Sequence, residues 1–189
     1  MKILLHICCA PCAIYPLRKL RLDGHQVTGY FDNPNIHPLQ EYLKRLDTLI
    51  EYAEQEGMPL IRADEYDPEA FMRAVTFREH NRCGACYHLR MSRTARTARR
   101  EGFEGFTSTL FYSVYQDHDL MKDIAEGCAR KEGLCLACHD FREGWREGVS
   151  LSRKMGMYRQ RYCGCLYSEK ERYLQERARR RESKAKTGP

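Results

Sequence analysis

The chain has 189 residues, enough for one domain with a core that needs no covalent staples. The apolar run from Met1 to Ile7 is too short for a signal peptide, and no stretch approaches the length of a membrane span. A cytoplasmic protein without a membrane partner is therefore expected, and a secreted disulfide scaffold is set aside, because cytosolic cysteines stay reduced unless they hold metal or pass electrons. The formal charge of +6 is unevenly placed: five arginines and no acid from Arg90 to Arg100, then eight basic and four acidic residues from Glu169 to Lys186. This asymmetry suits either a polyanionic partner or two solvated helix faces.

Lys2–Ile7 is aliphatic and reads as a strand. Pro11 fits the first turn of a helix to about Asp23, ended by Gly24. Gln26–Phe31 is a second strand, and Asp32-Asn33-Pro34-Asn35 is turn chemistry. A helix opens at Pro38, with Leu39, Tyr42, Leu43, Leu46, Leu49, Ile50 and Ala53 at helical spacing up to Gly57. Pro59–Ala63 is a third strand, and Asp67-Pro68 starts another helix. Cys83-Gly84-Ala85-Cys86 precedes the arginine-rich helix ending at Gly102. Phe106–Leu110 is a fourth strand, Asp117–Lys131 a helix and Leu134–Ala137 a fifth strand. Leu151–Met155, the Cys163-Gly164-Cys165 turn and a charged helix from about Ser168 follow. Repeated strand–helix units predict an α/β fold, an open parallel sheet flanked by helices and doubly wound, of the HUP or PP-loop kind, with a C-terminal helical segment. Residues 1–182 are expected to form a single domain including the basic helix, with 183–189 a frayed tail. Ligands in such folds sit at the carboxyl ends of the strands, where the loop holding Cys8, Cys9 and Cys12 falls.

Seven of the ten cysteines lie in three groups: Cys8, Cys9 and Cys12; Cys83 and Cys86; Cys163 and Cys165. Adjacent Cys8 and Cys9 point apart, which suits two irons of a cluster better than one zinc ion. The Cys83/Cys86 spacing serves zinc and iron–sulfur sites alike, so the four thiols make a plausible [4Fe–4S] shell, with buried idle thiols as the plainer reading. Cys9-Ala10-Pro11-Cys12 between a strand and a helix also matches a thioredoxin-like dithiol, whose first thiol is acidified by the helix N-terminus. Cys163-Gly164-Cys165 is too tight for a relaxed structural bridge and suits a labile or catalytic disulfide, cluster ligands or idle thiols. Cys128, Cys135 and Cys138 read as core residues outside the site. Asp117 reads first as a helix N-cap and second as a substrate or metal contact. His6 reads as a satisfied inward-facing histidine.

Four segments together resemble the QueH-type epoxyqueuosine reductases: Leu5-His6-Ile7-Cys8-Cys9-Ala10-Pro11-Cys12; Gly29-Tyr30-Phe31-Asp32-Asn33-Pro34-Asn35-Ile36-His37-Pro38; Arg82-Cys83-Gly84-Ala85-Cys86; and Tyr158-Arg159-Gln160-Arg161-Tyr162-Cys163-Gly164-Cys165. The resemblance covers nearly the whole chain in order. It implies reduction of the epoxide of epoxyqueuosine, at the wobble position of tRNA, to the alkene of queuosine. It further implies a [4Fe–4S] cluster on Cys8, Cys9, Cys83 and Cys86, and a redox-active pair, Cys163 and Cys165. An additional mononuclear iron beside the cluster belongs to the same pattern, with Cys12 and Asp117 as candidate ligands. Val114 departs from the proline expected in the fourth-strand segment, and Cys135 and Cys138 stand where similar sequences are aliphatic or aromatic.

Whether iron or a thiolate opens the epoxide stays open in the sequence. No glycine-rich nucleotide fingerprint occurs, so electrons are expected from an external donor. Arg90 and Arg93, on the helix after Cys86, are expected to hold anticodon phosphates. Tyr87, Phe111, Tyr112 and Tyr115 form a shortlist of base-stacking residues. A thioredoxin-like dithiol oxidoreductase using Cys9 and Cys12, and a zinc-stabilised RNA-binding module, are the alternative functions.

Overall fold

A computed structural model of the chain describes residues 1–63, 65–137 and 140–186. Five strands, β1 (Lys2–His6), β2 (Gln26–Phe31), β3 (Leu60–Arg62), β4 (Gly105–Ser108) and β5 (Cys135–Leu136), form one sheet. Every pairing is parallel, in the order β3-β2-β1-β4-β5. The helices are α1 (Ala10–Leu22), α2 (Leu39–Gln55), α3 (Pro68–Val75), α4 (Arg82–Arg100), α5 (His118–Glu132), α6 (Trp145–Lys154) and α7 (Leu166–Lys186). The sheet grows outward from β1 in both directions, through α1 and α2 on one side and α4 and α5 on the other. Because parallel crossovers are right-handed, that reversal puts the two helix sets on opposite faces. The doubly wound fold expected from the strand–helix alternation is the one formed.

β1 is the axis of the core. Ile3, Leu4 and Leu5 are fully buried, as an apolar strand covered on both faces requires. The chain reverses direction of growth at the carboxyl ends of β1 and β4, so the loops after His6 and Ser108 diverge around a crevice. Among the described residues, no helix is long and apolar enough to cross a membrane.

Several elements differ from the sequence reading. Cys83 and Cys86 do not precede the arginine-rich helix but lie in its opening turns, since α4 starts at Arg82. β4 ends at Ser108, and Thr109–Tyr112 winds into a 3-10 turn capped by the Ser108 hydroxyl, which accepts from Leu110 N at 3.1 Å. α6 replaces the isolated Leu151–Met155 segment. α2 buries Glu41 and Arg45 while Leu39 and Leu43 stay exposed; its inner face is set by an ion pair that apolar periodicity does not register. α7 runs on to Lys186, past residue 182, while Cys138 and residues 187–189 lie outside the described residues.

The α1–α6 contact depends on missing side chains. A Cβ added to Gly144 would lie 2.0 Å from the Tyr15 ring, and one on Gly148 would lie 2.3 Å from the Tyr112 hydroxyl. Gly144→Ala is therefore expected to destabilise the protein by about 1–3 kcal/mol, the usual cost of overpacking. Urea denaturation should show it as a lower midpoint with little change in slope.

Candidate active site

The sulfurs of Cys8, Cys9 and Cys12 gather at the carboxyl end of β1, all within 4.8 Å of one another and all buried. Cys9 stands at the N-cap of α1 with extended backbone angles, and Cys12 lies one turn in. That geometry brings Cys9 Sγ and Cys12 Sγ to 2.6 Å. β4 supplies the neighbouring wall: Cys8 N donates to Thr109 Oγ1 at 3.2 Å, and the Thr109 hydroxyl donates to Cys8 Sγ at 3.4 Å. His6 is fixed by Ser108 Oγ at 2.9 Å from its Nδ1, while its Nε2 has no partner. Burial, with the Arg90 charge adding, lowers its pKa to about 4, so it is a neutral structural ring at physiological pH.

Electrostatics concentrate one negative charge in this triad. Hydrogen bonds from Cys12 and Cys9, aided by Arg90 and Thr109, drive the Cys8 thiol well below its ordinary range. Burial pushes Cys9 up, and sharing hydrogen bonds with the two neighbouring sulfurs pushes Cys12 up. A thioredoxin-type nucleophile needs an accessible and acidified first thiol. Cys9 is neither, being 1 % exposed. Three close, buried sulfurs instead make a soft donor set of the kind that holds iron or zinc. Unprotonated, they would repel one another without a cation. The residues present fit a resident metal.

The second group is linked to the first through Arg90, whose charge acts on both Cys8 and Cys86, and is held by Asn35 from the turn after β2. Asn35 Nδ2 donates to Cys86 Sγ at 3.0 Å, and its Oδ1 accepts from Arg90 Nε at 2.9 Å. Burial pushes the Cys86 thiol up to about 11, with Arg90 opposing. Cys83, one turn earlier and exposed, is also raised by its partial burial. Cys163 and Cys165 are close enough for their charges to act on both Cys83 and Cys86, and Cys8 acts on Cys163. Gln160 Nε2 closes the ring of contacts by donating to Cys9 Sγ at 3.0 Å. Thus all three cysteine groups meet at one end of the sheet. Cys83 and Cys86 are not members of the close triad.

The loop carrying Cys163 and Cys165 is pinned by its backbone. Arg45, 1 % exposed, donates to the carbonyls of Cys163 at 2.8 Å and Tyr162 at 3.1 Å. Its other side pairs with Glu41 at 2.7 Å, and Glu41 Oε2 accepts from the Tyr158 hydroxyl. Gly164 O accepts from His37 N at 2.8 Å. Gly164 has φ +152, and a Cβ there would press to 3.1 Å on Ile36. Both cysteines are free thiols.

Several expected contacts take other roles. Asp117 spends a carboxylate oxygen capping α5, accepting from Leu120 N at 3.1 Å, and stands apart from the triad that includes Cys12. Arg90 and Arg93 are not free for phosphates: Arg90 is 2 % exposed on Asn35, and Arg93 bridges Asp32 at 2.6 Å and Glu65 at 3.3 Å. Tyr87, Phe111 and Tyr112 are buried, which removes them from the stacking shortlist. Cys128 lies buried on α5, and Cys135 is exposed on the edge strand β5. Arg45, Glu41, Gln116, Trp145 and Gln160 escaped the sequence reading, although Gln160 sat within a quoted motif. For Arg45 the Glu41 spacing of four residues was the available signal.

A cavity of about 630 Å³ opens above these groups, lined among others by Cys8, Cys12, Cys163, Gln116, Gln160 and Tyr112. A thiol-lined pocket at the switch point of a doubly wound sheet, beside three buried sulfurs able to hold a metal, is the layout of an α/β oxidoreductase. The chain belongs to the epoxyqueuosine reductase QueH family, whose profile matches residues 3–171. It is 36 % identical over 172 residues to the epoxyqueuosine reductase QueH of Dehalococcoides mccartyi, covering 91 % of this chain and 94 % of the relative. The Histophilus somni protein of that name is 36 % identical over 177 residues, covering 88 % and 72 %. The Thermotoga maritima protein is 33 % identical over 180 residues, covering 90 % and 91 %.

Proposed function

We propose that the chain reduces the epoxide of epoxyqueuosine, carried at the wobble position of tRNA, to the alkene of queuosine. The observation that carries this reading is that Cys8, Cys12 and Cys163 line one cavity, with Cys83 and Cys86 within electrostatic reach of Cys163, in a chain of this family. Cys8, Cys9, Cys83 and Cys86 would hold a [4Fe–4S] cluster, and Cys12, whose sulfur touches those of Cys8 and Cys9, is the better placed ligand for an additional iron. Such iron supplies single-electron transfer and Lewis acidity when bound.

The chain's own residues account for the remaining chemistry. Deoxygenation breaks two C–O bonds, forms the C=C π bond and releases water, consuming two electrons and two protons. Oxidation of the Cys163 and Cys165 thiols to a disulfide yields that number of each, so the overall conversion balances without a nucleotide cofactor. An external donor then reduces the disulfide. Burial of the sulfur raises the Cys163 thiol above its ordinary range. Gln116 Nε2, 3.5 Å from Cys163 Sγ and anchored through Oε1 by the Tyr87 hydroxyl at 3.0 Å, orients that sulfur toward the cavity.

The test is anaerobic purification followed by iron, sulfide and zinc analysis, then incubation with epoxyqueuosine-containing tRNA and a reductant. Four or more irons per chain and conversion to queuosine are expected. Colourless protein with stoichiometric zinc and no turnover would replace this reading with a zinc-stabilised RNA-binding module.

A further inference from the structure

The cavity has a second wall that sulfur chemistry does not use. Besides Cys8, Cys12 and Cys163, it is lined by Tyr112, Tyr115 and Trp145, the chain's single tryptophan. Tyr112 is buried and acts as a brace: its hydroxyl donates to Trp145 O at 3.0 Å, and its ring packs 5.0 Å from the indole. Trp145 is half-buried on this brace. Tyr115 leans edge-on against the indole, with centroids 5.6 Å apart and planes at 84°. It nevertheless remains 81 % exposed. A tyrosine this exposed gains little from burial, yet it is oriented by a residue that is itself locked in place. The pair makes an L-shaped apolar corner with one open side facing the cavity.

The cavity's other lining narrows what that corner receives. Arg159, Arg161 and Arg172 line the same opening, and none of the three donates to a carboxylate within the cavity. Among the described residues Arg159 and Arg161 form no ion pair, while Arg172 pairs with its helix neighbour Glu176 at 3.1 Å, a partly exposed pair that a phosphate can displace. Planar aromatic surface beside these guanidinium groups matches a nucleobase with its flanking phosphates. A volume of about 630 Å³ accommodates a nucleoside but no base pair, so the base must enter unstacked from its neighbours.

We propose that Tyr115 and Trp145 form the shelf on which the target nucleobase stacks, presenting its modified side to the cysteines, while Arg159, Arg161 and Arg172 take the flanking phosphates. This rests on the functional reading above and specifies its substrate subsite. Tyr115 and Trp145 bind and orient the base and take no part in electron transfer.

Steady-state kinetics of the anaerobically prepared, iron-replete full-length protein test this, using an anticodon stem–loop that carries epoxyqueuosine. Tyr115→Ala is expected to raise KM roughly 5- to 100-fold, the range found for loss of one base-stacking aromatic, with iron content unchanged. Tyr115→Phe, which keeps the ring and loses only the hydroxyl, should restore KM to within about threefold, because stacking needs the π face. Arg159→Gln with Arg161→Gln should flatten the dependence of log KM on log salt by about one to two units. A Tyr115→Ala enzyme with wild-type KM, or a Tyr115→Phe enzyme as impaired as Tyr115→Ala, overturns the shelf while leaving the reductase reading intact. Iron-replete wild-type protein that binds the stem–loop but never converts it overturns both.

Discussion

Arg45→Met is expected to cost about 3–5 kcal/mol of stability, the scale seen when one partner of a buried ion pair is removed. Arg45 is buried against Glu41 and donates to two backbone carbonyls of the Cys163 loop. Met matches its length but leaves a buried carboxylate without its cation and two carbonyls without donors. The effect on function should exceed the effect on folding. Among the described residues no other hydrogen bond reaches Tyr162 O or Cys163 O, so the loop loses this tether to α2 and keeps its contacts to His37. Arg45→Lys keeps a charge for Glu41 but has one ammonium where the guanidinium fork served three acceptors. It should fall between wild type and Arg45→Met. Glu41→Gln introduced into Arg45→Met should recover part of the lost stability, because the cost lies mainly in the stranded carboxylate. Anaerobic urea denaturation of wild type and the three variants checks this order. An Arg45→Met protein as stable as wild type would show that Glu41 is protonated or hydrated, and that the clamp is not an ion pair.

Cys86→Ala and Cys163→Ala should separate iron binding from turnover. Cys86 shares the charge of Arg90 with Cys8, and in the proposed cluster it is a ligand, so its removal is expected to strip the bound iron and end activity together. Cys163 is anchored by its carbonyl on Arg45, and its sulfur receives only the longer contact from Gln116. Cys163→Ala should keep most of the iron yet fall by about 10³-fold or more in turnover, the scale on which loss of a group reacting through its own bond acts. Cys165→Ala should resemble Cys163→Ala, since two electrons require both thiols. Iron content and single-turnover conversion, measured on the same preparations, decide the matter. If Cys163→Ala loses iron as fully as Cys86→Ala, the pair belongs to the metal shell and the proposed division of labour fails.

The pattern of strands, turns and cysteine groups was legible in the chain because each depends on local chemistry. β1 announces itself as an aliphatic run, Asp117 as an N-cap, and Pro68 as a helix start. Four short segments sufficed to show the family resemblance. The roles of the arginines were not legible. Arg90 and Arg93 look like a basic helix face until Asn35 and Asp32, more than fifty residues away, are brought against them. Charge in a sequence does not reveal whether a partner lies across a tertiary contact.

The same holds for the aromatic residues. Tyr112 and Tyr115 are three residues apart, but the 3-10 turn at the end of β4 sends one into the core and leaves the other at the cavity mouth. Trp145 reaches that mouth only because Gly144 and Gly148 let α6 close against Tyr15 and Tyr112. Sequence by itself therefore determined the sheet, its crevice and the thiols that supply the chemistry, since strand and turn propensities act over a few residues. Only the tertiary structure decided which cysteines touch, which arginine holds the Cys163 loop and which aromatics face the cavity, because those outcomes depend on desolvation and contact between distant parts of the chain.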